Sequence, residues 1–147
     1  MEYAQHEALV RDHSIIDPAH LLAGMFRERK GIASKALRNL QISEAALGSH
    51  LDSNAAEFKQ GAIEEIGLSD RSKNVLEMAV AEWRELGHEQ IGTAHMLLGL
   101  CREEKASGAG ALQGLGMDPD RVRDEVLRLV ETRGPERSRR SKPKSGA

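Results

Sequence analysis

Aromatic side chains are nearly missing from this sequence: one Trp, one Tyr and two Phe make up 3% of 147 residues. A core must therefore be assembled from Leu, Ile, Val, Met and Ala, the side chains of packed helices. Cysteine is scarcer still. Cys101 stands alone, which excludes a disulfide framework within one chain; it reads as a small buried hydrophobe near a helix end. Long apolar runs are absent, none approaching the ~20 residues that a membrane helix requires, and charged residues reach 30%. The opening stretch from Met1 to Val10 carries Glu2, His6 and Glu7, which no secretory signal would. No G-x-x-x-x-G-K-[ST] run occurs, so no loop of that kind cradles a nucleotide phosphate. Together these absences point to a cytoplasmic protein.

The net charge of -2 conceals an asymmetry. Residues 133–147 hold six basic residues and one acid, a local +5, which leaves -7 for the rest. That remainder is too acidic to favour nucleic acid. The tail contains Gly, Pro, Ser, Arg and Lys without a large apolar side chain, so it is expected to be disordered. It could touch nucleic acid only weakly and without specificity, and a solubilising tail or a linker remnant explains it more simply.

What the sequence does contain is an internal repeat. A shift of 75 residues lays His13 on His88, Ile16 on Ile91 and Ala19-His20 on Ala94-His95. The register continues without a gap through Leu22 and Leu97, Gly24 and Gly99, Arg27-Glu28 and Arg102-Glu103, Ala36-Leu37 and Ala111-Leu112, and Leu40 and Leu115. Each copy reads as four short helices. In the second copy the first spans about Ser69 to Leu86 on a three-and-four apolar spacing that only Glu82 interrupts, with Gly87 placed to end it. The second spans about Ala94 to Glu103 with Thr93 as its N-cap. Its counterpart in the first copy is capped by Asp17, with Pro18 at the first helical position. Third helices are expected near Ile32 to Leu40 and Gly108 to Leu115, and fourth helices starting at Ser43 and at Asp118-Pro119. No segment shows the alternation of a strand. The expected fold is all-α: a first repeat over 1–59, a linker over 60–68, a second repeat over 69–132, and the tail.

The segments Leu86-Gly-His-Glu-Gln-Ile-Gly-Thr-Ala-His-Met-Leu-Leu-Gly-Leu100 and Ile16-Asp-Pro-Ala-His-Leu-Leu-Ala-Gly-Met25 resemble the signature of the Clp repeat, which forms the N-terminal domain of Clp ATPases. The resemblance covers about residues 1–131. It implies a pseudo-two-fold, eight-helix domain that docks protein substrates or adaptors, here without the AAA+ modules. Two departures stand out. Met1 falls on Leu76, so the opening helix of the first repeat looks truncated. In Clp members that read phosphoarginine tags, a glutamate precedes the motif histidine; those positions are Ala19 and Ala94, which offer no acceptor for a guanidinium.

The candidate chemistry is sparse. His13, His20, His88 and His95 recur in pairs seven apart, not the three or four of metal-binding helices, and no cysteine lies nearby. The motif histidines His20 and His95, with Asp17 and Thr93, therefore read as structural groups at helix N-termini. Thr93 beside His95 is no repeated nucleophile, because the first copy has Pro18 there. Neither an enzyme activity nor a metal or other cofactor is expected. Arg27-Glu28 and Arg102-Glu103 read most simply as solvated helix ends, or else as a two-fold docking surface. The resemblance implies a further groove beside the first helix of the second repeat, at Leu68, Lys73 and Glu77, that accepts partners or peptidic ligands. The expected function is a non-catalytic protein-binding module for substrates or adaptors of a Clp system, or a Clp ATPase itself, one able to modulate Clp-dependent proteolysis. The alternative is a structural remnant that self-associates as a homodimer, with no client-binding role.

Overall fold

Eight helices appear in the computed structural model, which describes residues 2–11, 13–54 and 67–133. The first half contains α1 (Glu2–Leu9), α2 (Pro18–Arg27), α3 (Ile32–Asn39) and α4 (Glu44–Ser53); the second contains α5 (Asp70–Leu86), α6 (Thr93–Ser107), α7 (Ala111–Gly114) and α8 (Pro119–Arg133). The fold is all-α apart from one contact too short to show as alternation. Ile15–Ile16 (β1) pairs in parallel with Gly67–Leu68 (β2), tying the start of the second half to the first. Residues 60–66 of the expected linker and 134–147 of the expected tail lie outside the described residues. Arg133, assigned to that tail, is the last residue of α8.

Each helix starts where the local chemistry favours it. Asp17 accepts from the Ala19 amide ahead of Pro18, Ser43 from the Ala46 amide, and Ser69 from the Ser72 amide. Gly87, at φ 71°, closes α5 in the left-handed conformation. Leu21, Leu22, Phe26, Leu37, Leu47 and Leu51 of the first half and Leu97, Leu98, Leu100, Leu112, Val122 and Val126 of the second are buried in one continuous core. The two halves thus share a single core.

Two helix lengths differ from expectation. The second helix of the second half runs on to Ser107 and the third shrinks to Ala111–Gly114. In the first half Gly31 caps α3, and Ile32 behind it is buried. The 75-residue register places Ala106 and Ser107 at those positions. Ala prolongs a helix, and Ser gives no apolar anchor to start a new one. The helix therefore continues until Gly108, at φ 81°, ends it.

Two helix crossings use the register-matched glycines. A Cβ on Gly99 would lie 2.6 Å from the Val75 carbonyl oxygen and the Ala79 amide nitrogen, and one on Gly24 would lie 2.8 Å from the Ala4 amide nitrogen. Only a hydrogen fits where α6 crosses α5 and where α2 crosses α1.

Candidate functional site

The paired histidines form the same device twice. The Asp17 amide donates to His20 Nδ1 at 2.9 Å, and the Gly92 amide donates to His95 Nδ1 at 2.8 Å. Because Nδ1 accepts, Nε2 carries the proton and donates to the outer histidine. That contact is 2.8 Å to His13 Nδ1 and 2.7 Å to His88 Nδ1. Both ring nitrogens of His20 and His95 are thus engaged within the fold. Burial, then the charges of His13 and Arg11, hold His20 down at about 4; burial also lowers His88. Neither inner histidine offers a free nitrogen to a metal or a nucleophile, and no group of three or more potential ligands occurs among the described residues.

Thr93 requires a correction. The N-cap of α6 is Gly92, and Thr93 is the first helical residue. Its hydroxyl instead accepts from the Ala33 amide at 3.3 Å, so it caps α3 in the other half. A cap built from a glycine and a histidine acceptor three residues on is hard to see, whereas a Thr before an apolar run is not.

Glu103 is also corrected. Expected at a solvated helix end or on a docking surface, it is only 4% exposed. Two bonds of 2.9 Å join it to Arg71 from the first turn of α5. Arg27 and Arg102 remain partly exposed, and both reach inward. Arg27 holds Glu7 at 2.9 Å and Arg102 holds Glu82 at 3.1 Å. Each of these buried acids has a second arginine: Arg11 at 2.6 Å from Glu7, and Arg123 at 3.0 Å from Glu82. Burial opposes ionisation of Glu7, but hydrogen bonds from Arg27 and Arg11 prevail and hold its carboxyl below the usual range. Glu7 and Glu82 escaped the sequence reading although the same 75-residue shift aligns them; a polar residue on an apolar face registers as an interruption until its partner is found.

One further buried acid has no counterpart. Glu104, fully buried, accepts from the Leu112 and Gln113 amides at 2.9 and 3.2 Å and so caps α7. Burial raises its carboxyl above the usual range despite those bonds. Cys101 lies beside it, and burial together with Glu104 pushes the thiol well above its ordinary value, leaving no thiolate for nucleophilic work.

Of the groove positions, Lys73 and Glu77 are exposed one turn apart on α5, and Leu68, in β2, is half-buried against the core. Ala19 and Ala94, preceding the motif histidines, are 0% and 2% exposed. No helix among the described residues is long and apolar enough to cross a membrane.

Comparison with known proteins agrees with this architecture. The family model for the Clp repeat (R) N-terminal domain matches residues 1–114 and 68–146. The chain is 37% identical over 127 residues to the negative regulator of genetic competence ClpC/MecB of Bacillus subtilis (strain 168), and 36% identical to the chaperone protein ClpB of Oceanobacillus iheyensis. Each match covers 86% of this chain but 16% of the relative. Among solved structures, the Hsp104 N-terminal domain from Candida albicans superposes with a TM-score of 0.71 at 17% identity, covering 92% of this chain and 91% of that one. The N-terminal domain of ClpD from Arabidopsis thaliana gives 0.64 at 22% identity, with 88% of each chain covered. Two copies of one helical unit, fused through one core and repeating the same histidine cap and buried Glu–Arg pair, belong to the Clp repeat N-terminal domain family.

Proposed function

We propose that this chain is a non-catalytic docking module of the cytoplasm, binding protein substrates or adaptors of a Clp system and thereby modulating Clp-dependent proteolysis. The observation that carries this reading is family membership: the chain corresponds to the N-terminal part of Clp ATPases. The interior supports it. The histidines, buried carboxylates and cysteine that could serve chemistry are engaged in capping, pairing or burial. What remains outside is a charged strip on α5, Lys73 and Glu77 above Leu68, and the partly exposed guanidinium groups of Arg27 and Arg102. Docking on such a surface is reversible and salt-sensitive. Ala19 and Ala94 argue against tag reading, since they bring no acceptor to a guanidinium and both are buried.

The test is calorimetric titration of the purified protein with a permanently unfolded, reduced and alkylated polypeptide, in parallel with a phosphoarginine peptide. The unfolded chain binds and the phosphoarginine peptide does not; the double variant Lys73→Glu, Glu77→Lys weakens the client about tenfold. Absence of client binding at low ionic strength removes the docking reading. Tight phosphoarginine binding removes the argument from the two alanines.

A further inference from the structure

The buried glutamate–arginine cluster is closed in one half and open in the other. In the first half, Arg11 donates through Nη1 to Glu7 and through Nε to Asp52 of α4 at 3.0 Å. Asp52 thus gives the second guanidinium a second carboxylate. Under the 75-residue register Asp52 corresponds to Leu127, so the second half lacks that acid. There Arg123 donates through Nη1 to Glu82 at 3.0 Å, and its Nε and Nη2 make no hydrogen bond among the described residues. Arg102, on the same Glu82 oxygen, has Glu85 at 3.7 Å, too long for a hydrogen bond. Both guanidinium groups line a cavity of about 480 Å³; the corresponding cavity of the first half, beside Glu7 and Arg27, holds about 270 Å³. Phe26 lines the smaller one, and its counterpart Cys101 lines the larger. Met78 and Ala106 add to the apolar wall, and the exposed Lys105 and Asp120 neutralise each other at 2.9 Å.

We infer that this cavity, between α5, α6 and the start of α8, binds the C-terminal residue of a partner polypeptide whose last side chain is apolar. The terminal carboxylate takes in the second half the place that Asp52 has in the first. It bridges the open N–H groups of Arg123 and Arg102, whose planar forks match a carboxylate. Two guanidinium groups share one buried carboxylate oxygen, so the floor of the cavity carries one positive charge in excess. Glu85, 64% exposed, offsets it only loosely. The apolar wall selects a chain terminus over an internal acid. A terminal residue brings carboxylate and side chain from the same Cα, so both enter together; an internal Asp or Glu brings no apolar group of its own. A volume of about 480 Å³ lies within the range of small-ligand pockets. The inference rests on the docking reading above and names the part of a protein partner that is held, at a place distinct from the Lys73–Glu77 strip.

The test titrates the full chain, isotope-labelled, with the peptide acetyl-Gly-Ala-Leu, as the free acid and as the C-terminal amide. The free acid is expected to bind at one to one, with shifts in the side-chain N–H signals of Arg102 and Arg123, and the amide at least tenfold more weakly. Ala106→Leu, at an exposed helical position on the cavity wall, lowers affinity for the acid at least tenfold with the thermal midpoint unchanged. Arg123→Lys keeps a cation beside Glu82 but loses the fork, and weakens the acid while leaving the amide unaffected. Equal binding of acid and amide, no binding at millimolar peptide, or shifts confined to Arg11 and Arg27 would overturn the inference. So would acetyl-Gly-Asp-Gly amide binding as tightly as the free acid, which would give the cavity to internal acidic side chains. An unfolded client that binds as well after its C-terminus is amidated removes this site and leaves the docking reading. Peptide acid bound without client binding keeps the site and removes the docking reading.

Discussion

The two halves, residues 2–54 and 67–133, hold the same buried glutamate–arginine pair with different second partners. Glu7 and Glu82 each keep a register-matched arginine, Arg27 and Arg102. The second arginine differs in origin. Arg11 comes from just beyond α1 and lies against Gly48; Arg123 comes from α8, at the position that Gly48 occupies in the first half. A carboxylate buried to this depth needs compensation, and either the first or the fourth helix can supply it. Contacts that both halves keep in full (the histidine cap, the glycine crossing, the first Glu–Arg pair) are what the unit requires. Contacts that vary show where it tolerates exchange.

The glycine crossing is the strongest place to break this comparison. Ala at position 99 would press on Val75 and Ala79 in the middle of a seventeen-residue helix fixed at both ends by Ser69 and Gly87. Ala at position 24 would press on Ala4, in a helix described over eight residues. Overpacking costs ~1–3 kcal/mol depending on how freely the neighbour shifts. Gly99→Ala is expected to cost about 3 kcal/mol and Gly24→Ala about 1 kcal/mol, read from urea unfolding midpoints. Equal costs would show that α1 is held as firmly as α5.

The histidine caps sharpen the comparison through pH. Burial and the neighbouring His13 and Arg11 hold His20 at about 4, against an ordinary 6.5, while the charge of Glu7 acts the other way. The folded value is depressed, so the neutral ring's contribution is fully present above pH 6.5 and is lost as pH falls through the folded value near 4. Between pH 7 and pH 5 this group alone removes about 2 kcal/mol. His20→Gln retains an acceptor at the third helical position, where Gln serves in capping boxes, but carries no titration. The variant should therefore lose about 2 kcal/mol less than the parent over that interval. An unchanged slope would mean that His20 titrates normally.

Much of this was legible in the sequence. The repeat, its register, the all-helical class and the caps at Asp17 and Ser43 follow from apolar spacing and local turn chemistry, which act over a few residues. The misreadings share a cause: a partner far along the chain. Glu103 looked solvated because Arg71 lies 32 residues away. Thr93 looked like a local cap because Ala33, its donor, lies 60 residues away. The β1–β2 pair spans two residues on each side, too few for alternation to register. The extended α6 was visible in principle, since Ala106 and Ser107 replace Gly31 and Ile32, but the strength of the repeat argued for equal lengths.

Thr93 gives the finest test, because its counterpart is Pro18. The hydroxyl of Thr93 caps the Ala33 amide in the first turn of α3. The counterpart of Ala33 is Gly108, whose amide already donates to the Glu104 carbonyl at 2.8 Å because α6 runs on to Ser107. The second half therefore has no orphan amide at that place, and a hydroxyl at position 18 would have nothing to cap. Thr93→Val, which keeps the shape and removes the acceptor, should cost about 1 kcal/mol. Pro18→Thr should gain nothing and lose a few tenths of a kcal/mol with the fixed backbone angle. The two changes should add, since they act on different helix ends. If Pro18→Thr instead stabilised the protein as much as Thr93→Val weakens it, Gly108 would be free. The unequal lengths of the two halves' second and third helices would then have some other origin than the continuation of α6.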